Sequence, residues 1–273
     1  MPTRLRRNTE KEALLQQKVF DFINKDKRTG AWHASDMIDP RLAIYRRLDP
    51  KPPTPEQIGY WLLGRGHHYY FVQAMTGIDD SQEASRADTE LGLVYSPDLA
   101  ELRGEFKTTR LSKKPETEEE AIKLFAKYEQ QCLIYAACEG VRKWDLYVLY
   151  IALKDEKWKP LAPIPEVYTY TWDEEQIASV KPRLKAQMAI MDTAVKTNSV
   201  SGLPLCSEFI CVNWKSNGRG VPMTLEPKCP YFEKCKPPGR YEYIGRSKKA
   251  RRDGELSDSL PGEVLDNLEG TEG

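Results

Sequence analysis

Histidine is scarce in this chain, with three among 273 residues, and long apolar runs are missing. The most apolar stretch, Leu146 to Leu153, falls far short of the roughly twenty apolar residues that a membrane helix needs. The start, Met1 to Lys11, is charged and unlike a secretion signal. These absences exclude a helical membrane protein and set the expectation of a soluble, unexported chain, cytoplasmic or intracellular in a virus-infected cell. Net charge is missing as well, because 41 Lys and Arg balance 41 Asp and Glu. The balance is uneven along the chain: residues 253 to 273 hold seven acidic side chains and no basic one. With those seven set aside, the rest is mildly basic, which suits an acidic polymer as partner without demanding one. There is no internal repeat. What is present, 40% hydrophobic and 30% charged residues, is enough to bury one sizeable core. Six cysteines without an export signal point to reduced or metal-bound thiols rather than disulfides.

Apolar spacing predicts an amphipathic helix over residues 9 to 25, on Leu14, Leu15, Val19, Phe20 and Phe22. Ser35 or Asp36 would cap a second helix running through Arg46, with Pro40 tolerated only in its first turn. After the Pro50 to Pro55 break, Thr54 opens a long helix to about Met75 that carries Gly64, Arg65, His67 and His68. From Glu90 to Arg110 the pattern is β-branched, aromatic and alternating, which reads as two neighbouring strands. A polar loop, Lys113 to Glu119, leads to a helix from Ala121 to Glu139, whose Leu124, Tyr128, Gln131, Cys132 and Tyr135 share one broad face. Strands at Lys143 to Ala152 and Glu166 to Trp172, then a helix from Glu174 to Lys196 despite Pro182, complete a mixed α/β order.

The chemistry gathers at Ser96, Pro97 and Asp98, followed by Gly104, Glu105, Phe106 and Lys107. If Asp98 and Glu105 end adjacent strands, their oxygens can converge on a hard divalent cation, magnesium or manganese. Side chains alternate along a strand, so Glu105 and Lys107 share a face and the ammonium lies beside any bound metal. An E-x-K triplet alone is weak, since a salt-bridged solvent face explains most of them. The Pro-Asp seven residues upstream of Glu105, the apolar residue between Glu and Lys, and Thr108 to Arg110 behind them sharpen the signal.

This segment resembles the core motif of the PD-(D/E)XK nucleases, and other segments resemble their RecB-like branch, which includes CRISPR-associated exonucleases of the Cas-four type. Gly64 to His68 is similar to the branch's G-x-x-x-H, which implies that His68 adds a neutral imidazole to the metal. His67, about a quarter-turn away, reads as structural or substrate-facing. Gln131 and Tyr135 match Q-x-x-x-Y, one helical turn apart and on one side, where they would hold a phosphate or organise Lys107. Ser35 to Arg41, with Tyr45 and Arg46, resembles the segment before the core. Here the chain departs from cluster-bearing members, with Asp39 where they commonly carry cysteine. The implied fold is a restriction-endonuclease-like core, a mixed sheet flanked by helices, with a C-terminal cysteine-rich subdomain.

Cys206, Cys211, Cys229 and Cys235 supply four thiolates, and spacing alone fits either tetrahedral zinc or a 4Fe-4S cluster. The likeness of residues 229 to 235 to the branch's cluster segment implies iron-sulfur in a structural role, while the absent upstream cysteine speaks for zinc. Cys132 and Cys138 read as small apolar helix residues. The expected organisation is a helical extension (1–32), a nuclease core (33–202), a four-cysteine segment (203–243) and a disordered charged tail (244–273). The expected activity is hydrolysis of DNA, exonucleolytic, in recombination, repair or CRISPR-type processing, on single strands or duplex ends. Asp98, Glu105, His68 and the Phe106 carbonyl would hold the metal, and Arg41, Arg110, Lys113 and Lys114 would track the backbone. A helicase, recombinase or CRISPR integrase would be the protein partner. The rivals are an inactive nuclease-fold DNA-binding accessory protein and a restriction-type or RNA-directed endonuclease.

Overall fold

A computed structural model describes residues 10, 11, 14, 17, 18, 30–51, 53–77, 85–206, 212–215, 224–227 and 229–235. The expected tail, Cys211 and most of the expected N-terminal helix lie outside these; of that helix, Glu10, Lys11, Leu14, Gln17 and Lys18 are helical, and Leu14 is exposed. Two compact units divide the chain, 1–204 and 205–273.

In the first unit, two short helices, α1 (Ala34–Ile38) and α2 (Pro40–Leu48), replace the single helix expected there. The break falls at Asp39, because Pro40 takes the first helical position of α2, where its missing N–H costs nothing. Asp36 is not the cap itself: it sits inside α1 and accepts the His33 N–H at 3.0 Å. Helix α3 (Pro55–Thr76) begins at Thr54, whose hydroxyl accepts the Gln57 N–H while the Gln57 amide oxygen accepts the Thr54 N–H. It ends at Gly77 in the left-handed conformation.

Strands β1 (Arg86–Asp88) and β2 (Leu93–Tyr95) form an antiparallel hairpin of their own. The main sheet has the order β3-β4-β5, with β3 (Gly104–Thr109) parallel to β4 (Lys143–Tyr150) and β4 antiparallel to β5 (Ile164–Thr171). The expectation that neighbouring strands carry Asp98 and Glu105 is therefore corrected: β2 pairs with β1, β3 pairs with β4, and Asp98 lies in the connection between the two sheets.

Helix α4 (Glu118–Glu139) makes the crossover from β3 to β4 and starts earlier than the sequence indicated, because Thr117 caps it by accepting the Glu120 N–H. β4 alternates, burying Trp144, Leu146, Val148 and Tyr150 on one face. Leu146, Val148 and Tyr150 pack with Ala121 and Phe125 of α4. The C-terminal half of α4, from Cys132 to Ala137, joins a larger core with Ile44, Leu93, and Val180, Leu184 and Met191 of α5 (Glu174–Thr197). Cys132 is fully buried in that core and Cys138 packs against it. Among the described residues no helix is long and apolar enough to cross a membrane.

The second unit contains an antiparallel pair, β6 (Val212–Lys215) with β7 (Thr224–Pro227), and a helical turn, α6 (Phe232–Cys235). Cys206 is buried in this unit and Cys229 and Cys235 are half-buried, none of them in a disulfide.

Candidate active site

The site is built around one edge strand. Among the described residues β3 shares a sheet edge with β4 alone, and its other edge is met by the connection that precedes it rather than by a further strand. A tight reversal feeds it: Leu99 and Gly104 exchange antiparallel hydrogen bonds around the 3-10 turn Ala100–Leu102, and Arg103 takes the left-handed conformation. Gly104 is needed there for space, since a Cβ would lie 2.7 Å from the Tyr147 ring and 3.2 Å from Leu99. The reversal brings Asp98 back against the edge opposite β4. Its Oδ2 accepts the Phe106 N–H at 2.9 Å, and its own N–H lies 3.5 Å from Glu105 Oε2.

Phe106 points to the α3 side of the sheet and stacks on Phe71, with ring centroids 4.1 Å apart. His68, three residues before Phe71, shares that helix face, and its Nε2 reaches 2.9 Å from Asp98 Oδ1. Glu105 and Lys107 point the other way, toward α4. The Lys107 ammonium pairs with Glu105 and lies 3.8 Å from Asp98 Oδ2. Gln131 Nε2 donates to Glu105 Oε1 at 2.8 Å and lies 2.6 Å from the Tyr135 hydroxyl. Six predicted side chains, His68, Asp98, Glu105, Lys107, Gln131 and Tyr135, thus meet in one place, drawn from α3, the inter-sheet loop, β3 and α4. Tyr128 was read from sequence only as part of a helix face, yet its ring lies 5.7 Å from the Lys107 ammonium. Its position three residues before Gln131 was the available signal.

Burial sets the electrostatics. Glu105 is 1% exposed, and its carboxyl is pushed up to about 8 by burial and by the neighbouring Asp98 charge, against the pull of Lys107. Burial also works to raise Asp98, but Lys107 and His68 outweigh it and hold this carboxyl below the usual range. Burial would lower Lys107, and the two carboxylates overcome it and raise the ammonium. Tyr135 is raised by burial and then by Glu105, which keeps the phenol protonated. A buried and a half-buried carboxylate with too little positive charge between them therefore compete for a cation or a proton.

That deficit, and a donor set of two carboxylates, an imidazole and a strand-edge carbonyl, fit a hard divalent cation in chemistry. The spacing differs: among the described residues no three His, Cys, Asp or Glu side chains are arranged to hold a metal ion as they stand. His68 contacts Asp98 directly and Lys107 occupies Glu105.

The remaining predicted residues lie apart from this cluster. The Arg41 guanidinium donates to the Leu203 carbonyl, which gives it a structural duty. Arg110 lies over the Tyr60 ring, 5.0 Å from its centroid. Lys114 pairs with Glu166 at 2.6 Å, and Lys113 is exposed beside it. His67 is half-buried on α3. Of the four cysteines proposed as cluster ligands, Cys211 lies outside the described residues, and the other three belong to the second unit.

No protein-family model matches the chain, and no curated protein matches it in sequence. Among solved structures it is similar to an alkaline exonuclease, LHK-Exo, from Laribacter hongkongensis, at 19% identity over 67% of this chain and 95% of that one, with a TM-score of 0.37. The same exonuclease in complex with dAMP gives 18% identity, the same coverage and a TM-score of 0.38. A phage-related exonuclease from Haemophilus somnus 129PT gives 12% identity over 72% of this chain and 92% of that one, with a TM-score of 0.33.

Proposed function

We propose that this chain is a divalent-metal-dependent deoxyribonuclease that hydrolyses phosphodiester bonds. The observation that carries the reading is the meeting of His68, Asp98, Glu105 and Lys107, from three separated stretches of chain, at one strand edge. A stable core gains nothing from sealing Glu105 beside Asp98, because buried like charges are costly unless something else is held there.

Asp98, Glu105, His68 and the Phe106 carbonyl would hold magnesium or manganese. In a strand the N–H and C=O of one residue point to the same side, so the carbonyl faces the edge where the Phe106 N–H meets Asp98. The cation, when bound, supplies a water of lowered pKa and positive charge for the phosphorane-like transition state. Lys107 adds a second positive charge where the phosphate gathers negative charge, and orients the attacking oxygen. Gln131 fixes the Glu105 carboxylate, and Tyr135, kept protonated, offers a hydroxyl toward the same place. Exonucleolytic attack on single strands or duplex ends, within recombination, repair or CRISPR-type processing, is the finer part of the proposal and rests on the motif set. The same holds for Cys206, Cys211, Cys229 and Cys235 as a structural 4Fe-4S or zinc site.

One observation favours the rival reading, a nuclease-fold protein that binds DNA without cutting it: the donors contact one another and are not spaced for a metal. Incubating the purified protein with end-labelled single- and double-stranded DNA and manganese, beside Lys107→Ala and a chelated control, separates the two. Metal-dependent cleavage lost in the variant supports the nuclease, whereas equal product from both proteins removes the assignment. Anaerobic purification followed by a visible spectrum and metal analysis distinguishes iron-sulfur from zinc.

A further inference from the structure

Beyond the end of β3 the first unit has a cavity of about 620 Å3 that the proposed chemistry does not use. Lys113 and Lys154 stand at it, Leu153, Leu161 and Ile164 supply apolar lining, and the Trp158 indole forms one wall. Trp158 is 66% exposed, which is a high exposure for so large an apolar surface. Its backbone is left-handed, with φ at 60°, a conformation unfavourable for any residue with a side chain.

The loop that carries it is tightly tied. Asp155 Oδ1 accepts the N–H groups of Lys157 at 2.9 Å and Lys159 at 2.8 Å. The Asp155 carbonyl accepts the Trp158 N–H, its N–H donates to the Lys159 carbonyl, and Leu161 N–H closes the loop on the Leu153 carbonyl. Lys154 N–H donates to the Ser112 carbonyl, which joins the loop to the chain leaving β3. The backbone beneath the indole is thus pinned, the ring stands in solvent, and the Lys154 ammonium sits 4.9 Å from its centroid.

Charge here is mixed. Lys114 is engaged with Glu166 and Asp155 with its own loop, leaving Lys113 and Lys154 against Glu116 and Glu156. Such a site lacks the net positive field of a phosphate track, and offers instead a flat π surface, an apolar floor and a few ammonium groups. That combination suits an unpaired nucleobase with its flanking phosphates, because stacking accepts any base and a rigid aromatic loses little entropy on binding.

We propose that Trp158 is a stacking platform for an unpaired base of a DNA strand, with Lys154 and Lys113 meeting the adjoining phosphates. It rests on the nuclease reading and extends it to a second grip on the strand. Lys107 and Ser112 are five residues apart, at most about 17 Å of extended chain.

The test is fluorescence anisotropy of the full chain with labelled dT20, in chelator so that nothing is cut, followed by kinetics with manganese. Trp158→Ala is expected to weaken dT20 binding about tenfold, with Trp158→Phe retaining most of the affinity. Tyr70→Ala, which removes another highly exposed aromatic away from the cavity, is expected to bind as wild type does. On a long single strand Trp158→Ala should raise KM more than it lowers kcat, and blunt duplex binding should not depend on Trp158. Wild-type dT20 affinity in Trp158→Ala, equal losses for duplex and single strand, or Phe failing as fully as Ala would each overturn the platform while leaving the nuclease reading intact. A greater dependence on Trp158 with rU20 than with dT20 would overturn DNA as the occupant. A wild-type protein that neither binds nor cuts any oligonucleotide would overturn the nuclease reading and the platform together.

Discussion

At the Glu105 end of β3 the charged groups are buried and locked to one another, whereas beyond Thr109 they stand in solvent around an exposed indole. The two ends of one strand pose different energetic problems. Glu105, at 1% exposure, must have every oxygen engaged, and Gln131, Lys107 and the Asp98 N–H surround it. Lys113 and Lys154 can rely on water, so their placement costs little and fixes little. Chemistry that requires exact positions belongs to the first kind of environment, and a sequence-tolerant grip on a polymer suits the second.

The comparison breaks most sharply at Lys107. Replacing it with alanine is expected to reduce metal-dependent cleavage at least about a hundredfold, measured by single-turnover kinetics on a labelled strand. The melting temperature should fall only in part, because Glu105 loses its ammonium but keeps its bond to Gln131 and can take up a proton. A large melting shift with residual activity intact would mean that the cluster serves stability. Gln131→Ala should come next, with a loss of roughly ten- to a hundredfold. Its distinguishing sign is a higher manganese concentration for half-maximal activity, since the amide orients Glu105; an unchanged manganese dependence would reduce Gln131 to a packing role.

Much of this was legible before any coordinates. Thr54, with Glu56 and Gln57 behind it, announced α3, and the shared face of Tyr128, Gln131 and Tyr135 announced α4, because helical spacing and capping are local. The E-x-K alternation placed Glu105 and Lys107 together for the same reason. The partner of each strand was not legible, since a three-residue strand such as β2 carries no information about what it pairs with. Asp98 therefore reaches Glu105 by a route the sequence did not disclose, through a reversal around Gly104. Trp158 was equally silent, as a loop residue has no period to betray it, and only its left-handed backbone and exposed ring draw attention.

That reversal supplies a stability test at the buried end. Gly104→Ala would push a methyl group to 2.7 Å from the Tyr147 ring and 3.2 Å from buried Leu99. A loss of about 1–3 kcal/mol is expected in urea unfolding, as for other overpacked positions. Trimming the ring in a Gly104→Ala, Tyr147→Leu double variant should recover part of it. Failure to recover any would place the strain at Leu99 instead.

The smallest effect is expected where burial and exposure meet, at Asp88. Its side chain is 4% exposed, pairs at 2.8 Å with Lys181, which is 29% exposed, and accepts the N–H groups of Glu90 and Leu91. Burial works to raise this carboxyl, but the Lys181 and Leu91 hydrogen bonds outweigh it and hold it below its ordinary value. A carboxyl lowered by folding stabilises the native state above its unfolded pKa, near 3.9, and loses that contribution as pH falls through the folded value. Asp88→Asn should therefore cost about 1 kcal/mol at neutral pH, and the gap to wild type should close below about pH 4. Urea titrations at three pH values read this directly. A gap that persists unchanged into acid would show that the shape of the Asp88 turn, rather than its charge, holds β1 and β2 to α5.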